Sequence, residues 1–192
     1  MRRVLPCFFL LTGLLLGATA ASGETLAQFS TMGVRTPDDP DVSGVRFSLL
    51  YGQARSVSGL DVGLVSISET EKLKGVAVVL GVNRVTQEMD GGAAFSLFNI
   101  NNGNSRGLNA AFVNMVNNVE NGLDVGFVNI AEGTTMVDIG GLNISEASTA
   151  QLGFINVTKE IKGFQLGFLN IAENGFLPVF PFFNFPKGDA SK

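Results

Sequence analysis

Histidine and tryptophan are absent from the sequence, tyrosine occurs once, at Tyr51, and cysteine once, at Cys7. Without histidine there is no serine–histidine or cysteine–histidine nucleophile pair. The usual nitrogen and sulfur ligands of zinc are missing for the same reason. Basic residues are also scarce, with 13 Lys and Arg against 17 Asp and Glu. An acidic chain gains little from phosphate contacts, so nucleic acid and anionic lipid rank low as partners. Glycine is plentiful, yet no Gly-Lys-Ser/Thr follows a glycine-rich turn, which excludes a phosphate loop.

The chain opens with Arg2 and Arg3, then the apolar run "FFLLTGLLLG" over 8–17, then the small residues Ala18, Thr19, Ala20, Ala21 and Ser22. That order predicts a secretory signal peptide over residues 1–21. The run is too short for a good transmembrane helix, and no later apolar run reaches that length. Removing the leader takes Cys7 with it, so the mature chain forms no disulfide. It also drops the basic count by two, to 11 against 17, a net charge of −6.

The remainder is a repeat. With "GLDVGFVNI" (122–130) as the template, position eight is Ser66, Asn99, Asn114, Asn129, Asn143, Asn156, Asn170 and Asn184. An irregular copy at 75–83 carries Asn83, and successive asparagines lie 13 to 16 residues apart. Position three is mostly polar: Asp61, Asn109, Asp124, Asp138, Gln151 and Gln165. Position five is small, and position six holds Phe112, Phe127, Phe154, Phe168 and Phe182.

Positions two, four and six are apolar while three and five are polar or small, the pattern of a strand with one buried face. By that reading the phenylalanines fill the interior, and Asp61, Asp124, Asp138, Gln151 and Gln165 form an exposed polar face. Positions seven and nine are apolar as well, so the parity changes between six and seven. A corner or bulge there would return position seven to the core.

The connectors, "SETEKLK", "NNGNSR", "VNNVEN", "AEGTT", "SEAS" and "TKEIK", are polar and too short for crossover helices. The fold class is therefore all-β, in tandem repeats of about 14 residues. A β-solenoid is favoured, because stacked coils would bring every asparagine into one column. An antiparallel meander and a small outer-membrane barrel are the alternatives. The barrel lacks aromatic girdles and alternating loop lengths.

Residues 22–58 read as an amino-terminal segment and cap, 59–173 as the repeat domain, and 187–192 as a polar tail. The copy at 177–185, "LPVFPFFNF", places Pro178 and Pro181 within the strand pattern. Residues 174–186 therefore read as a terminal cap.

"GLDVGFVNIAEG", "GFQLGFLNIAENG" and "NGFLPVFPFFNF" resemble a family of bacterial exported surface-repeat proteins with tandem Gly-Leu-Gln-x-Gly-Leu-x-Asn-type repeats. The resemblance covers roughly residues 46 to 186. It implies export and surface association, and it transfers no catalytic or binding residue.

Two carboxylate groupings remain as candidate chemistry. Asp38, Asp39 and Asp41 would offer oxygens to calcium, but read first as a solvated proline-rich turn. Asp61, Asp124 and Asp138 share a repeat position and would bind a sugar or cation, or act as an acid–base pair. Stacked asparagines bond along a fibre-like axis or satisfy backbone at a bend, which is a structural role. Asn143-Ile-Ser145 and Asn156-Val-Thr158 match a glycosylation sequon only by virtue of that column.

No catalytic, cofactor-binding or metal-ligating residue is assigned, and no cofactor is expected. The expected function is an exported non-enzymatic module of the bacterial surface, periplasm or outer membrane. Its partners would be a protein, a glycan, a membrane surface or further copies of itself, end to end. An integral outer-membrane barrel and a polysaccharide-processing enzyme on a solenoid scaffold are the alternatives.

Overall fold

The computed structural model describes residues 25–188. The leader (1–21), residues 22–24 and the end of the polar tail (189–192) lie outside the described residues. Within them the chain is all β, with no helix, and forms a solenoid of about 9 parallel turns of about 14 residues each.

The elements are β1 (Thr25–Thr31), β2 (Val34–Thr36), β3 (Asp41–Ala131), β4 (Thr134–Ala172) and β5 (Val179–Asn184), arranged in the order β2-β1-β3-β4-β5. β3 is a single ribbon of 91 residues that coils upon itself through the connectors. Pairing from coil to coil is parallel and follows the repeat. Leu123 pairs with Val137, Asp124 with Asp138, Asn129 with Asn143 and Ile130 with Ile144. Parallel register rules out the meander and the closed antiparallel barrel, which need alternate strands to run backwards.

Both ends of the stack are closed by reversed strands. At the amino end, β2 folds back antiparallel on β1 through a turn with positive φ at Met32 (49°) and Gly33 (80°). Positive φ at both central residues is the hairpin geometry that matches strand twist, and glycine takes the second place without strain. β1 itself lies parallel on β3, so residues 25–58 form the first coils as well as the cap.

At the carboxyl end, β5 pairs antiparallel with β4, setting Asn184 against Gln165 and Phe182 against Gly167. The last copy is therefore not another coil. Asn184 sits opposite position three, not in the asparagine column where its spacing in the sequence put it. An antiparallel terminal strand blunts the edge that a further parallel coil would extend.

The inside of the coil corrects the expected facing. Positions three and eight point inwards, and the large apolar side chains point outwards. Asp61, Asp124, Asp138, Gln151 and Gln165 are buried, each at 2% exposure or less. Phe112, Phe127, Phe154 and Phe168 are 58–62% exposed.

The reason is width. A turn of about 14 residues leaves too little room for two inward columns of rings. It does fit side chains whose polar ends bond to one another along the axis. The parity change between six and seven is real, but it works in the opposite sense. Phe127 and Val128 are consecutive and neither is buried, so a corner keeps both apolar runs on the outside. The apolar part of the core comes mainly from other positions, including Leu73, Val119 and Ile161 of the connectors, Val57 of the amino-terminal segment and Met89 after the irregular copy.

Candidate functional site

The asparagine column runs through the coils as one amide ladder. Asn83 donates to Asn99 (3.3 Å), Asn99 to Asn114 (3.1 Å), and Asn114 to Asn129 (2.8 Å). The steps from Asn129 to Asn143, Asn156 and Asn170 are 2.8 Å each. Every Nδ2 in the regular part spends its second hydrogen on the position-four carbonyl of the next coil. Asn129 bonds Ile139 O at 3.0 Å, Asn143 bonds Leu152 O at 3.1 Å, and Asn156 bonds Leu166 O at 2.9 Å.

Those carbonyls are turned inward beside the corner, and an unpaired buried carbonyl would cost free energy. Asparagine both donates and accepts, so it continues the ladder and serves the corner at once. The small residue at position five makes the room. A Cβ on Gly153 would come within 2.5 Å of Asn143 Nδ2 and of Gly140 O.

Serines continue this interior towards the amino end: Ser66 Oγ lies 3.1 Å from Ser48 Oγ, and Ser48 pairs with Ser30. The repeat template reaches Ser66 but not Ser48 or Ser30. Their inward column could have been found only by extending the small, polar column upstream.

The position-three column is where the acidic candidates meet. At its amino end Arg46 and Asp61 form a fully buried bidentate pair, Nε to Oδ1 at 2.9 Å and Nη2 to Oδ2 at 2.5 Å. Arg46 also donates to Thr70 Oγ1 (2.8 Å) and Glu69 O (3.2 Å). Sequence reading missed Arg46 because it precedes the first regular copy.

Further along, Asn109 donates forwards to Asp124 Oδ1 (2.8 Å). From the other end Gln165 donates backwards to Gln151 Oε1 (2.8 Å), and Gln151 donates backwards to Asp138 Oδ2 (3.3 Å). The two runs of donors converge on two acceptors. Asp124 Oδ2 and Asp138 Oδ1 are left without a partner. Burial pushes the Asp124 carboxyl up to about 7, partly offset by the Asn109 hydrogen bond, while the Asp138 charge adds to the rise. Burial raises Asp138 too, against the hydrogen bonds from Thr135, Gln151 and Ser148.

Asp38, Asp39 and Asp41 do not converge on a cation. Asp38 pairs with Arg35 (2.8 Å), Asp41 pairs with Arg55, and Asp39 accepts from Thr25 Oγ1 (3.2 Å). Asn143 and Asn156 are fully buried, which removes both sequons from the surface.

What the coil presents outwards is apolar on two faces and charged along one edge. One face carries positions two and four, such as Leu60, Val78, Phe95 and Leu166. The other carries seven and nine, such as Ile67, Phe98 and Met115. They meet at the position-six ridge, where Phe112 stacks on Phe127 with centroids 5.3 Å apart, and Phe154 stacks on Phe168 at 5.1 Å. A shallow apolar groove of about 310 Å³ lies on the second face between Val82, Phe98, Ile100, Val113 and Met115. The connectors supply the charged edge, with pairs such as Arg106–Glu120 (3.1 Å) and Lys159–Glu146 (3.1 Å).

No known protein family, curated protein or solved structure matches the chain.

Proposed function

We propose that the protein is an exported, non-enzymatic β-repeat protein of the bacterial surface or envelope. It works as a structural or interaction module through its outward apolar faces. The observation that carries this reading is the outward placement of the phenylalanine ridge and the faces beside it. An exposed apolar patch beyond a few hundred Å² marks a surface that meets something else. The leader pattern of residues 1–21 and the resemblance of the repeats to exported surface proteins support the compartment.

The enzyme alternative loses its best candidates to burial. Asp124 and Asp138 have the perturbed ionisation of acid–base groups, yet they lie 1% and 2% exposed. A glycan cannot reach them without opening the coil. Catalysis needs a group within hydrogen-bond reach of its substrate.

Expression of the full chain in a bacterial host tests the reading. The expected result is a shortened chain outside the inner membrane that turns over none of a panel of glycans. An unshortened chain retained in the cytoplasm would sink the exported reading. Turnover that survives in the Asp124→Asn and Asp138→Asn variants would place catalysis elsewhere and sink the non-enzymatic one.

A further inference from the structure

We infer that the apolar ridge is a lipid-seating surface: the solenoid lies in the plane of a neutral bilayer with the position-six phenylalanines in the acyl region and the connector edge in water. This rests on the interaction-module reading and names the partner of the same surface.

The first argument is shape. Positions six and seven both face outwards, so the two apolar faces diverge from a convex ridge. A second copy, or any folded partner, laid against one face leaves the other in water. Liquid hydrocarbon conforms to both faces at once, and the burial is non-directional.

The second argument is the distribution of charge. The outward charges of residues 59–173 sit on the connectors, from Glu69 and Glu71 to Glu160 and Glu173, and on the stretch 85–90 that follows the irregular copy (Glu88 and Asp90), with the exception of Arg84. Arg84 lies at position nine and reaches back to Glu69 on that edge (3.5 Å). The charged edge therefore runs the length of the stack opposite the ridge. About 9 turns at about 4.8 Å each give an axis of roughly 43 Å. An upright solenoid would drag that edge through a hydrocarbon core of about 30 Å. Lying flat, every connector stays in water and the ridge enters about 5–10 Å, as an amphipathic helix does.

The third argument is satisfaction. Spanning or seated structures must meet their own backbone hydrogen bonds where water is absent. Here the coils bond to each other, and the inward amides serve the corner carbonyls next to the ridge, as Asn129 does for Ile139 O. The acidic balance of the chain, 13 basic against 17 acidic residues, selects neutral over anionic headgroups.

The test places a probe on the ridge and another on the edge of the full chain. In a Cys7→Ser background, Phe154→Cys and Glu160→Cys are each labelled with an environment-sensitive fluorophore and mixed with phosphatidylcholine vesicles. Both positions are exposed, so neither substitution touches the interior. The expected result is a blue shift at position 154 and several-fold stronger quenching there by acyl-chain nitroxide lipid than at 160.

Attachment by residues 1–24 alone would leave both labels unquenched, and that result overturns the proposal. A label at 154 that dries without lipid as protein concentration rises identifies a second copy as the occupant. That outcome overturns lipid seating while the interaction module stands. A label that stays in water on a monomer at every concentration overturns both.

As a second measurement, Phe127→Ser, Phe154→Ser and Phe168→Ser should each weaken vesicle flotation by about tenfold while the denaturation midpoint holds. Flotation unchanged in the triple variant would also overturn the proposal.

Discussion

Asp124 and Asp138 are register partners on adjacent coils, both buried, each with one carboxylate oxygen that no donor reaches. The amide donors of their column run inwards from both sides and leave the two acceptors facing one step of the stack. A proton on Asp124 supplies the donor that this step of the column lacks, and burial favours that protonated form. The raised folded-state value of Asp124, about 7 against 3.8, fixes the sign. The protonated form is the one the fold prefers, so its contribution to stability is full below the unfolded value and is lost as pH rises through about 7. The swing is on the order of 4 kcal/mol. Denaturant midpoints should therefore fall between pH 4 and 8 by more in the wild type than in Asp124→Asn, whose amide supplies the missing donor. Parallel pH curves for the two proteins would show that Asp124 is not the group that titrates.

The asparagine ladder gives a second prediction. Asn129→Ala removes the acceptor of Asn114, the donor to Asn143 and the partner of Ile139 O. Each buried group left without a partner costs about 1–3 kcal/mol. Urea melts should show a lower midpoint for Asn129→Ala and Asn156→Ala. A surface control such as Asn104→Ala should move little. Equal midpoints would mean the ladder is incidental to stability.

Arg46 and Asp61 provide a third. Both side chains are fully buried and their guanidinium and carboxylate bond bidentately. Removing one partner, as in Arg46→Met, strands the other charge and should cost about 3–5 kcal/mol. The double variant Arg46→Met, Asp61→Leu leaves no charge behind and should recover much of that loss. A thermodynamic cycle measures the coupling. If the double variant loses the sum of the two single losses, Arg46 and Asp61 do not act as a coupled pair.

Period and stacking were legible because they depend only on spacing. Asparagines 13 to 16 residues apart can share one column only in parallel coils, and they do. The corner between positions six and seven was also legible, from apolar Phe127 and Val128 in sequence. The facing of the columns was not. Alternation defines two faces but not which of them is inside, and the usual assignment puts phenylalanine within. Here coil width decides. Gly153 at position five leaves space for Asn143 and nothing larger. The reversal of β5 was hidden too, since "FPFFNF" keeps the repeat's spacing while running the other way. The buried candidate carboxylates follow from the same inversion, because the alternation places Asp124 and Asp138 in solvent until the coil is turned inside out.

The last prediction concerns that reversed strand. β5 covers the final coil through pairs such as Leu166 with Phe183 and Ile171 with Val179. Phe180 O accepts the last hydrogen of the asparagine column, from Asn170 Nδ2 at 3.3 Å. Without β5 the terminal coil would present unpaired backbone in parallel register, ready for another solenoid to stack on. Deleting residues 175–192 should therefore produce end-to-end association with the β signal retained. Contact through the ridge also raises scattering, so the shape of the product decides between the two modes. End-to-end stacking gives filaments one coil wide under the electron microscope, whereas ridge contact gives paired or sheet-like particles. In the intact chain, Pro178 and Pro181 flank and enter β5 and lack the amide hydrogens a further strand would use. A truncated protein that stays monomeric at high concentration would show that β5 caps nothing, and the resistance of the end would then have to come from the coil itself.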